Sequence, residues 1–408
     1  MQSVDLLITH ASELLTLKGP RKPRIRGQMR NLGIMKNGSI AIQNGRIVDV
    51  GRNLRYKAET VIDASGKLVM PGFVDPHTHV VFAGSREFEL DLKLAGVPYM
   101  EILRRGGGIF YTVEKTRKAS PAQLLLQSKK RLDTMLRHGT TSCEAKTGYG
   151  LDVINEIKLL KVQQKLAKTH PMDLVSTFLG AHAIPKQMKA NEYIQMILEE
   201  MLPKTKGLAR FCDVFCEKGV FTVPQTRKIL EEAKHYGLVP KIHADEIVDT
   251  RGALLAAEVG AISADHLLNS SEAGLRAMAQ KNIIGVLLPG TPFCLMMEQF
   301  APARKIIDCG VPVALATDLN PNCWTENMQM IIQLSCLKMQ MTPAEAITAA
   351  TFNAACAIGL QNTIGSLETG KQADLLILDC PNHQFLPYHF GVNLVETVIK
   401  KGHVLSLS

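Results

Sequence analysis

Apolar positions along this chain change period twice. Residues 1–67 read as short strands. Val4-Asp-Leu-Leu-Ile-Thr9 opens, and residues 38–51 hold two alternating runs on either side of Asn44-Gly45. Alternation at period two places apolar side chains on one face of a strand, and Asn-Gly between two such runs is a hairpin signal. Thr60-Val-Ile-Asp63 adds a third run, and residues 373–379 and 395–405 repeat the style at the far end. Neither end has enough strands to bury a sheet alone. The expectation is a small β-sandwich domain built from both chain termini, residues 1–70 and 365–408, with residues 71–364 forming a second unit.

In that central unit, apolar strand-like runs alternate with amphipathic segments of helix length. Eight strand candidates end near His77, Lys146, Ala181, Glu217, His243, His266, Pro289 and Asp318. Ser120 and Pro121 fit the N-cap and first position of a helix that ends at His138-Gly139, and a second helix runs from Pro224 to His235-Tyr-Gly237. A histidine in the last turn with glycine beyond suits the helix dipole and a left-handed cap, so His138 and His235 are read as helix ends and not as ligands. Eight β-α alternations over about 250 residues predict an α/β fold, a (β/α)8 TIM-type barrel whose reacting groups gather at the C-terminal strand ends. The connection from Val80 to Thr116 is long and carries Arg105-Gly-Gly-Gly108, which suits a lid or binding loop on that face.

Composition narrows the class. The chain has 408 residues, 46% hydrophobic and 21% charged, enough for one barrel and a smaller unit and too balanced for disorder. No apolar run reaches the ~18 residues of a membrane span. The first ten residues lack a basic region and carry Asp5 inside their apolar stretch, a poor signal peptide. Nine scattered cysteines without a Cys-x-x-Cys pair read as reduced thiols in a cytoplasmic protein. Cys212 and Cys216 fall in an alternating run and are read as strand packing. The net charge is +9, with its densest basic run at Arg21-Lys-Pro-Arg-Ile-Arg26. With aromatics at 5%, that run is read as a solvated loop and not a nucleic-acid surface.

The candidate chemistry begins at Pro76-His-Thr-His79. Residues i and i+2 of a strand face the same way, so His77 and His79 are either half of a metal site or two ordinary strand-end histidines. The other strand ends decide it. His243 and Asp318, in Ala314-Leu-Ala-Thr-Asp318, complete three imidazoles and a carboxylate, a donor set for one zinc or iron ion. A bound ion of this kind makes hydroxide accessible near neutrality, so a general base should lie close by. His266, in Ser263-Ala-Asp-His266, is the base of choice. Glu246, three residues after His243, is placed to pass protons to a substrate nitrogen, while Asp245 and Asp265 are read as supporting groups.

These residues resemble the amidohydrolase superfamily. Within it the chain is similar to the imidazolonepropionase family, on segments that span nearly its whole length. They include Asp75-Pro-His-Thr-His79 with Phe82-Ala-Gly-Ser-Arg86, Lys146-Thr-Gly-Tyr-Gly150, Thr177-Phe-Leu-Gly-Ala-His182, Lys241-Ile-His-Ala-Asp-Glu246, Ser263-Ala-Asp-His266 and Pro387-Tyr-His-Phe-Gly391. The resemblance implies a homodimeric, metal-dependent hydrolase of histidine degradation that opens the ring of 4-imidazolone-5-propanoate to N-formimidoyl-L-glutamate. It implies His77, His79, His243 and Asp318 as ligands of zinc or iron. It makes His266 catalytic together with Glu246 and Asp318, and it places substrate contacts at Arg86, Tyr149, His182, Glu246 and Asn320. The family's next contacts fall at Asn322 and Cys323. There the chain departs: many members read Gly-Ser before Ser-Pro-Thr-Glu-Asn, and here Asn322-Cys-Trp-Thr-Glu-Asn327 is one residue shorter. Trp324 either fills pocket space or packs beneath the loop.

Three rival readings follow from the same residues. A deaminase of the superfamily would also place His-x-Asp-Glu after the fifth strand. A two-metal enzyme bridged by a carbamylated lysine needs that lysine on the fourth strand, where Glu217 lies; Lys146 is on the second. A silent barrel kept as a binding protein should have lost a ligand or the base, and none is missing.

Overall fold

A computed structural model describes residues 2–97 and 99–406. Its centre is an eight-stranded parallel sheet in sequence order: Phe73–Asp75, Thr140–Lys146, Asp173–Ala181, Phe211–Cys216, Val239–Ala244, Ser263–His266, Ile284–Leu287 and Val313–Leu315. Expected strand ends at Lys146, Ala181 and His266 coincide with observed ones. The first and eighth strands stop short of His77 and Asp318, which lie in the segments just beyond. Those segments close the barrel. Asp318 N donates to His77 O at 3.1 Å, and His79 N donates to Leu319 O at 2.8 Å, with Thr78 and Leu319 in a parallel bridge. Below this seam, Asp75 accepts from the Thr317 amide at 3.1 Å and its hydroxyl at 2.5 Å. Burial pushes the Asp75 carboxyl up to about 7, against the pull of those two donors.

Helices flank the strands as the sequence expects. The helix Pro121–Arg137 starts from a Ser120–Gln123 capping box and ends on His138. The helix Val223–His235 starts at Thr222. Cys212 and Cys216 are buried strand residues. The long connection after His79 folds into three helices, Phe88–Leu94, Tyr99–Arg104 and Ile109–Lys118.

The termini form two further sheets. One has four strands in the order Arg46–Gly51, Gly38–Gln43, Ser3–Ala11 and Lys57–Asp63, its hairpin turning at Asn44 (φ 51°) and Gly45 (φ 72°). The other has six, His403–Val404, Val395–Lys400, Leu375–Leu378, Leu68–Pro71, Glu13–Leu15 and Ile34–Met35. Leu6, Ile8, Ile40, Val69, Leu375 and Ile399 pack in one cluster between them. The chain leaves the second sheet through Gly72, where a Cβ would collide with the Thr141 side chain, so only glycine lets the first barrel strand pass this close to the second.

One expectation fails locally. The run at 21–26 is not wholly solvated: Arg24 is buried, donates to Leu17 O and Asn31 O, and lies 4.8 Å from the Phe352 ring centroid. Its planar head finds carbonyls and an aromatic face that a charge count cannot foresee. Beside it, Arg30 and Arg304 bind Glu345, which also caps its own helix, Pro343–Ala350, through the Thr342 amide.

The barrel interior holds charge. Lys146 Nζ lies 3.1 Å from Glu144 Oε1, 2.6 Å from Asp213 Oδ2 and 3.4 Å from Asp265 Oδ2. Lys241 Nζ lies 2.6 Å from Glu144 Oε2 and donates to Pro76 O at 3.2 Å. The Thr177 hydroxyl donates to Glu144 as well. All five charged side chains are fully buried.

Two stability predictions follow. Lys146→Met leaves buried carboxylates without their counter-ion, and should lower the urea-unfolding free energy by about 3 kcal/mol; a loss below about 1 kcal/mol would mean that these carboxylates are neutral in the folded protein. Burial alone would raise the Glu345 carboxyl, but Arg304, the Thr342 amide and Arg30 hold it at about 2. A depressed folded value contributes stability above the ordinary 4.5 that is lost as pH falls toward 2. Melting temperatures of wild type and Glu345→Gln should therefore converge across that window.

Candidate active site

Period-two geometry and the seam together bring the first strand's histidines to the barrel mouth. His77 Nδ1 donates to Asp265 Oδ2 at 2.6 Å, and His79 Nδ1 donates to Thr147 O at 3.3 Å. A carboxylate and a carbonyl only accept, so each contact fixes the proton on Nδ1 and leaves an Nε2 lone pair facing inward. His243 Nδ1 lies 3.1 Å from Asp213 Oδ2 without forming an aligned hydrogen bond. Asp213 also accepts from the His243 amide at 3.1 Å, so one carboxylate holds both the backbone and the ring. Lys146 joins the two supporting carboxylates, Asp213 and Asp265, from below.

One ring nitrogen from each of His77, His79 and His243 lies within 4.8 Å of the others. Asp318 Oδ1 approaches the same centre, 3.5 Å from His77 Nε2 and 3.8 Å from His79 Nε2. Ligands at ~2.0–2.1 Å in a tetrahedral shell stand about 3.4 Å apart, so these spacings suit a single ion. His77 Nε2 is buried and has no hydrogen-bond partner among the described residues. A lone pair buried in this way is costly unless a cation takes it, and the donor set fits a metal ion.

Electrostatics agree with that use. Burial drives His77 and His79 well below the ordinary histidine range, with Lys146 and neighbouring imidazoles adding to the effect. Burial also pulls His243 down, but Asp213 more than reverses it, so this ring ends above its usual value. The Asp318 carboxyl is raised by burial and is steadied by the Thr291 hydroxyl, which donates to Oδ2 at 2.5 Å.

The other expected residues surround this centre. The His266 ring lies 5.2 Å from that of His243 and 5.5 Å from that of His77. Its Nδ1 is 3.7 Å from Glu246 Oε1, and burial lowers the ring to about 4, so it is neutral at pH 7. Burial raises Glu246. His182 stacks on His79 at 4.9 Å and donates from Nδ1 to Gly148 O at 3.0 Å, which leaves Nε2 as an acceptor. Tyr149 lies 5.5 Å from His79 and 5.4 Å from His182. His266 (φ 77°) and Asp318 (φ 52°) both sit on left-handed backbone, a strain of about 1–3 kcal/mol that the packed strand ends must hold.

Rim residues are placed less directly. Arg86 grips Glu89 with Nε and Nη2, at 2.7 and 2.8 Å. Asn320 folds back on its own loop, donating to Asp318 O at 2.7 Å and accepting from the amides of Asn322 and Cys323. The Asn322 side chain accepts from Lys93, and the buried Cys323 thiol donates to Thr317 O at 3.6 Å. Trp324 is 44% exposed, so it does not pack beneath the loop. It stands edge-on to Phe82 at 5.1 Å, and Arg131 packs against both rings. Glu217, at the fourth strand's end, accepts from the Lys218 and Ile247 amides.

Sequence reasoning missed Asp213, Glu144 and Lys241. A signal existed: each breaks an apolar strand at an inward position, where a polar side chain demands a partner. It also missed Glu89, Lys93 and Arg131, which sit on helices and left no strand-end signature.

The description "Amidohydrolase family" matches residues 68–405. An imidazolonepropionase of Alkaliphilus oremlandii (strain OhILAs) is 53% identical over 99% of this chain and 98% of its own length. Another, from Geobacillus kaustophilus (strain HTA426), is 53% identical over 98% of this chain and 97% of its own. Among solved structures, a zinc-bound adenosine deaminase from Xanthomonas campestris matches with a TM-score of 0.72 and 19% identity, over 99% of this chain and 93% of that one. An ochratoxinase from A. niger matches with a TM-score of 0.71 and 19% identity, over 99% of this chain and 96% of that one. These two likenesses bear on the fold alone. Matched nearly end to end by close relatives, the chain is a hydrolase of the amidohydrolase family and belongs, within it, to the imidazolonepropionases.

Proposed function

We propose that this chain hydrolyses the ring C–N bond of 4-imidazolone-5-propanoate to N-formimidoyl-L-glutamate, in histidine degradation. The observation that carries this reading is the convergence of His77, His79 and His243 with Asp318, faced by a neutral His266 beside Glu246. His77, His79, His243 and Asp318 would hold one zinc or iron ion. When bound, it lowers the pKa of a coordinated water and polarises a carbonyl.

The chain's own groups do the rest. His266, kept neutral by burial, takes the proton of the attacking water. As the ring carbonyl carbon becomes tetrahedral, Asp318, steadied by the Thr291 hydroxyl on Oδ2, serves as the carboxylate of the donor set. Glu246, 3.7 Å from His266 Nδ1, passes that proton on to the departing ring nitrogen, so that both side chains return to their starting protonation. His182 presents an Nε2 lone pair to a substrate N–H, and the Tyr149 hydroxyl bonds the heterocycle. Arg86 takes the propionate in the bidentate fork that Glu89 fills here, and Asn320, Asn322 and Cys323 shape the loop that closes over it.

The same reading makes residues 1–70 with 365–408 one composite β-sandwich and 71–364 the catalytic barrel. It takes the active species to be a cytoplasmic homodimer that acts on a small carboxylate substrate and needs neither nucleic acid nor membrane. No helix among the described residues is long and apolar enough to cross a membrane.

Purified, metal-replete protein should consume 4-imidazolone-5-propanoate without releasing ammonia. Ammonia release would point to a deaminase, and no turnover would overturn the function. Chelation should abolish turnover, and zinc or iron should restore it, with about one ion per chain by elemental analysis. His266→Ala should lower kcat by about 1,000-fold with KM little changed; an unaffected kcat would remove His266 as the base.

A further inference from the structure

One buried carboxylate beside the mouth has no part in the reaction as described. Glu156 lies in the first turn of the helix Val153–Thr169 and is fully buried. It faces the buried loop that leaves the second barrel strand, residues 147–151. The Thr147 amide still reaches Thr177 O, but beyond it the loop runs off the sheet. Buried N–H groups need acceptors, and there a side chain must supply them. Glu156 does so. Its Oε1 accepts from the Gly150 amide at 2.7 Å and the Leu151 amide at 2.9 Å, and its Oε2 accepts from the Gly148 amide at 3.2 Å. Burial raises the carboxyl, and the Thr147 hydroxyl and these amides oppose the rise.

The same loop aims two imidazoles. Thr147 O takes the Nδ1 proton of His79, and Gly148 O takes that of His182. The peptide joining Thr147 to Gly148 is planar and trans, so its C=O and N–H point in opposite directions. With the Gly148 N–H held by Glu156, the Thr147 carbonyl faces the other way, toward His79. A line of contacts therefore runs from Glu156 Oε2 through one peptide to His79 Nδ1, and across the ring to the inward Nε2. The peptide joining Gly150 to Leu151 is built alike: its N–H goes to Glu156, and its C=O accepts from Arg117 Nε at 2.6 Å. Hydrogen bonds in such a line polarise one another, so the carboxylate also makes the Thr147 oxygen a stronger acceptor.

We propose that Glu156 is a positioning residue for the active site, which aims the Thr147 and Gly148 carbonyls and, through them, the rings of His79 and His182. This rests on the reading of His79 as a metal ligand and His182 as a substrate contact. The outer partner of a ligating histidine fixes the tautomer and tilt of its ring, and losing such a partner typically costs about 10- to 100-fold in metal affinity. Glu156 stands one peptide farther out, so the lower end applies. A glutamine at this position sets its NH2 group against a loop N–H in either orientation. With Oε1 kept toward Gly150 and Leu151, it repels the Gly148 amide and turns the peptide that faces His79.

The test measures zinc affinity by chelator competition, and steady-state kinetics at saturating zinc, in wild type, Glu156→Gln, Glu156→Asp and Glu345→Gln. Glu345, which binds Arg30, Arg304 and the Thr342 amide, serves as the stability control. In Glu156→Gln the zinc dissociation constant should rise about 10-fold. KM for 4-imidazolone-5-propanoate should rise about 2- to 10-fold as His182 loses its aim. Glu156→Asp keeps two acceptor oxygens on a shorter stem and should fall between wild type and the Gln variant, so either variant decides the matter if the other fails to fold. Glu345→Gln should melt earlier at neutral pH yet bind zinc as wild type does. An unchanged zinc constant in the Glu156 variants, or an equal loss in Glu345→Gln, would overturn the assignment, and an unchanged KM would remove His182 from it. A wild type that binds zinc yet leaves 4-imidazolone-5-propanoate intact would overturn the functional reading without touching the zinc comparison. A wild type that binds no zinc would overturn the ligand set as a zinc site, and the Glu156 assignment with it.

Discussion

Charge that is buried must be paired, and this barrel is organised around that requirement. Lys146 and Lys241 lie in its interior among Glu144, Asp213 and Asp265, shielded from bulk solvent. The lysines hold the carboxylates, two of those carboxylates hold His77 and His243, and the rings present their lone pairs to one centre. Each layer fixes the protonation and aim of the next. The stability of the interior and the geometry of the mouth are thus one problem with one solution.

The second organising feature is the seam. The first and eighth strands meet through residues that also belong to the site: His77 and His79 exchange backbone hydrogen bonds with Asp318 and Leu319. Closure of the sheet and convergence of the donor set share the same few bonds. Asp75 and Thr317 reinforce the join from below. Left-handed backbone at Asp318 and His266 is tolerated because it is enclosed by such contacts.

Much of this was legible in the sequence. Strand ends at Lys146, Ala181 and His266 were readable because apolar runs stop where the barrel meets its loops. The Asn44-Gly45 hairpin was readable because few residue pairs accept that backbone. His77, His79, His243 and Asp318 stood out because strands of one barrel deliver their ends to one face. What was not legible depends on contacts between distant segments. Asp213 matters through Lys146 and His243, and Lys93 through Asn322, a partner more than two hundred residues away. Arg24 was read as solvated because no local pattern announces the Leu17 and Asn31 carbonyls or the Phe352 ring. Trp324 does not pack beneath its loop; it stands exposed against Phe82 and Arg131.

The seam also has a consequence for synthesis. Asp75 and Thr317, which pin it, are 242 positions apart. A growing polypeptide that has exposed only the first seven barrel strands owns three imidazoles but lacks both the eighth strand and Asp318. The complete donor set becomes available only when the last strand emerges and docks beside the first. Until then the nascent chain has no finished pocket in which to capture an ion or cleave a passing molecule, so topology alone delays the chemistry until the ring is complete.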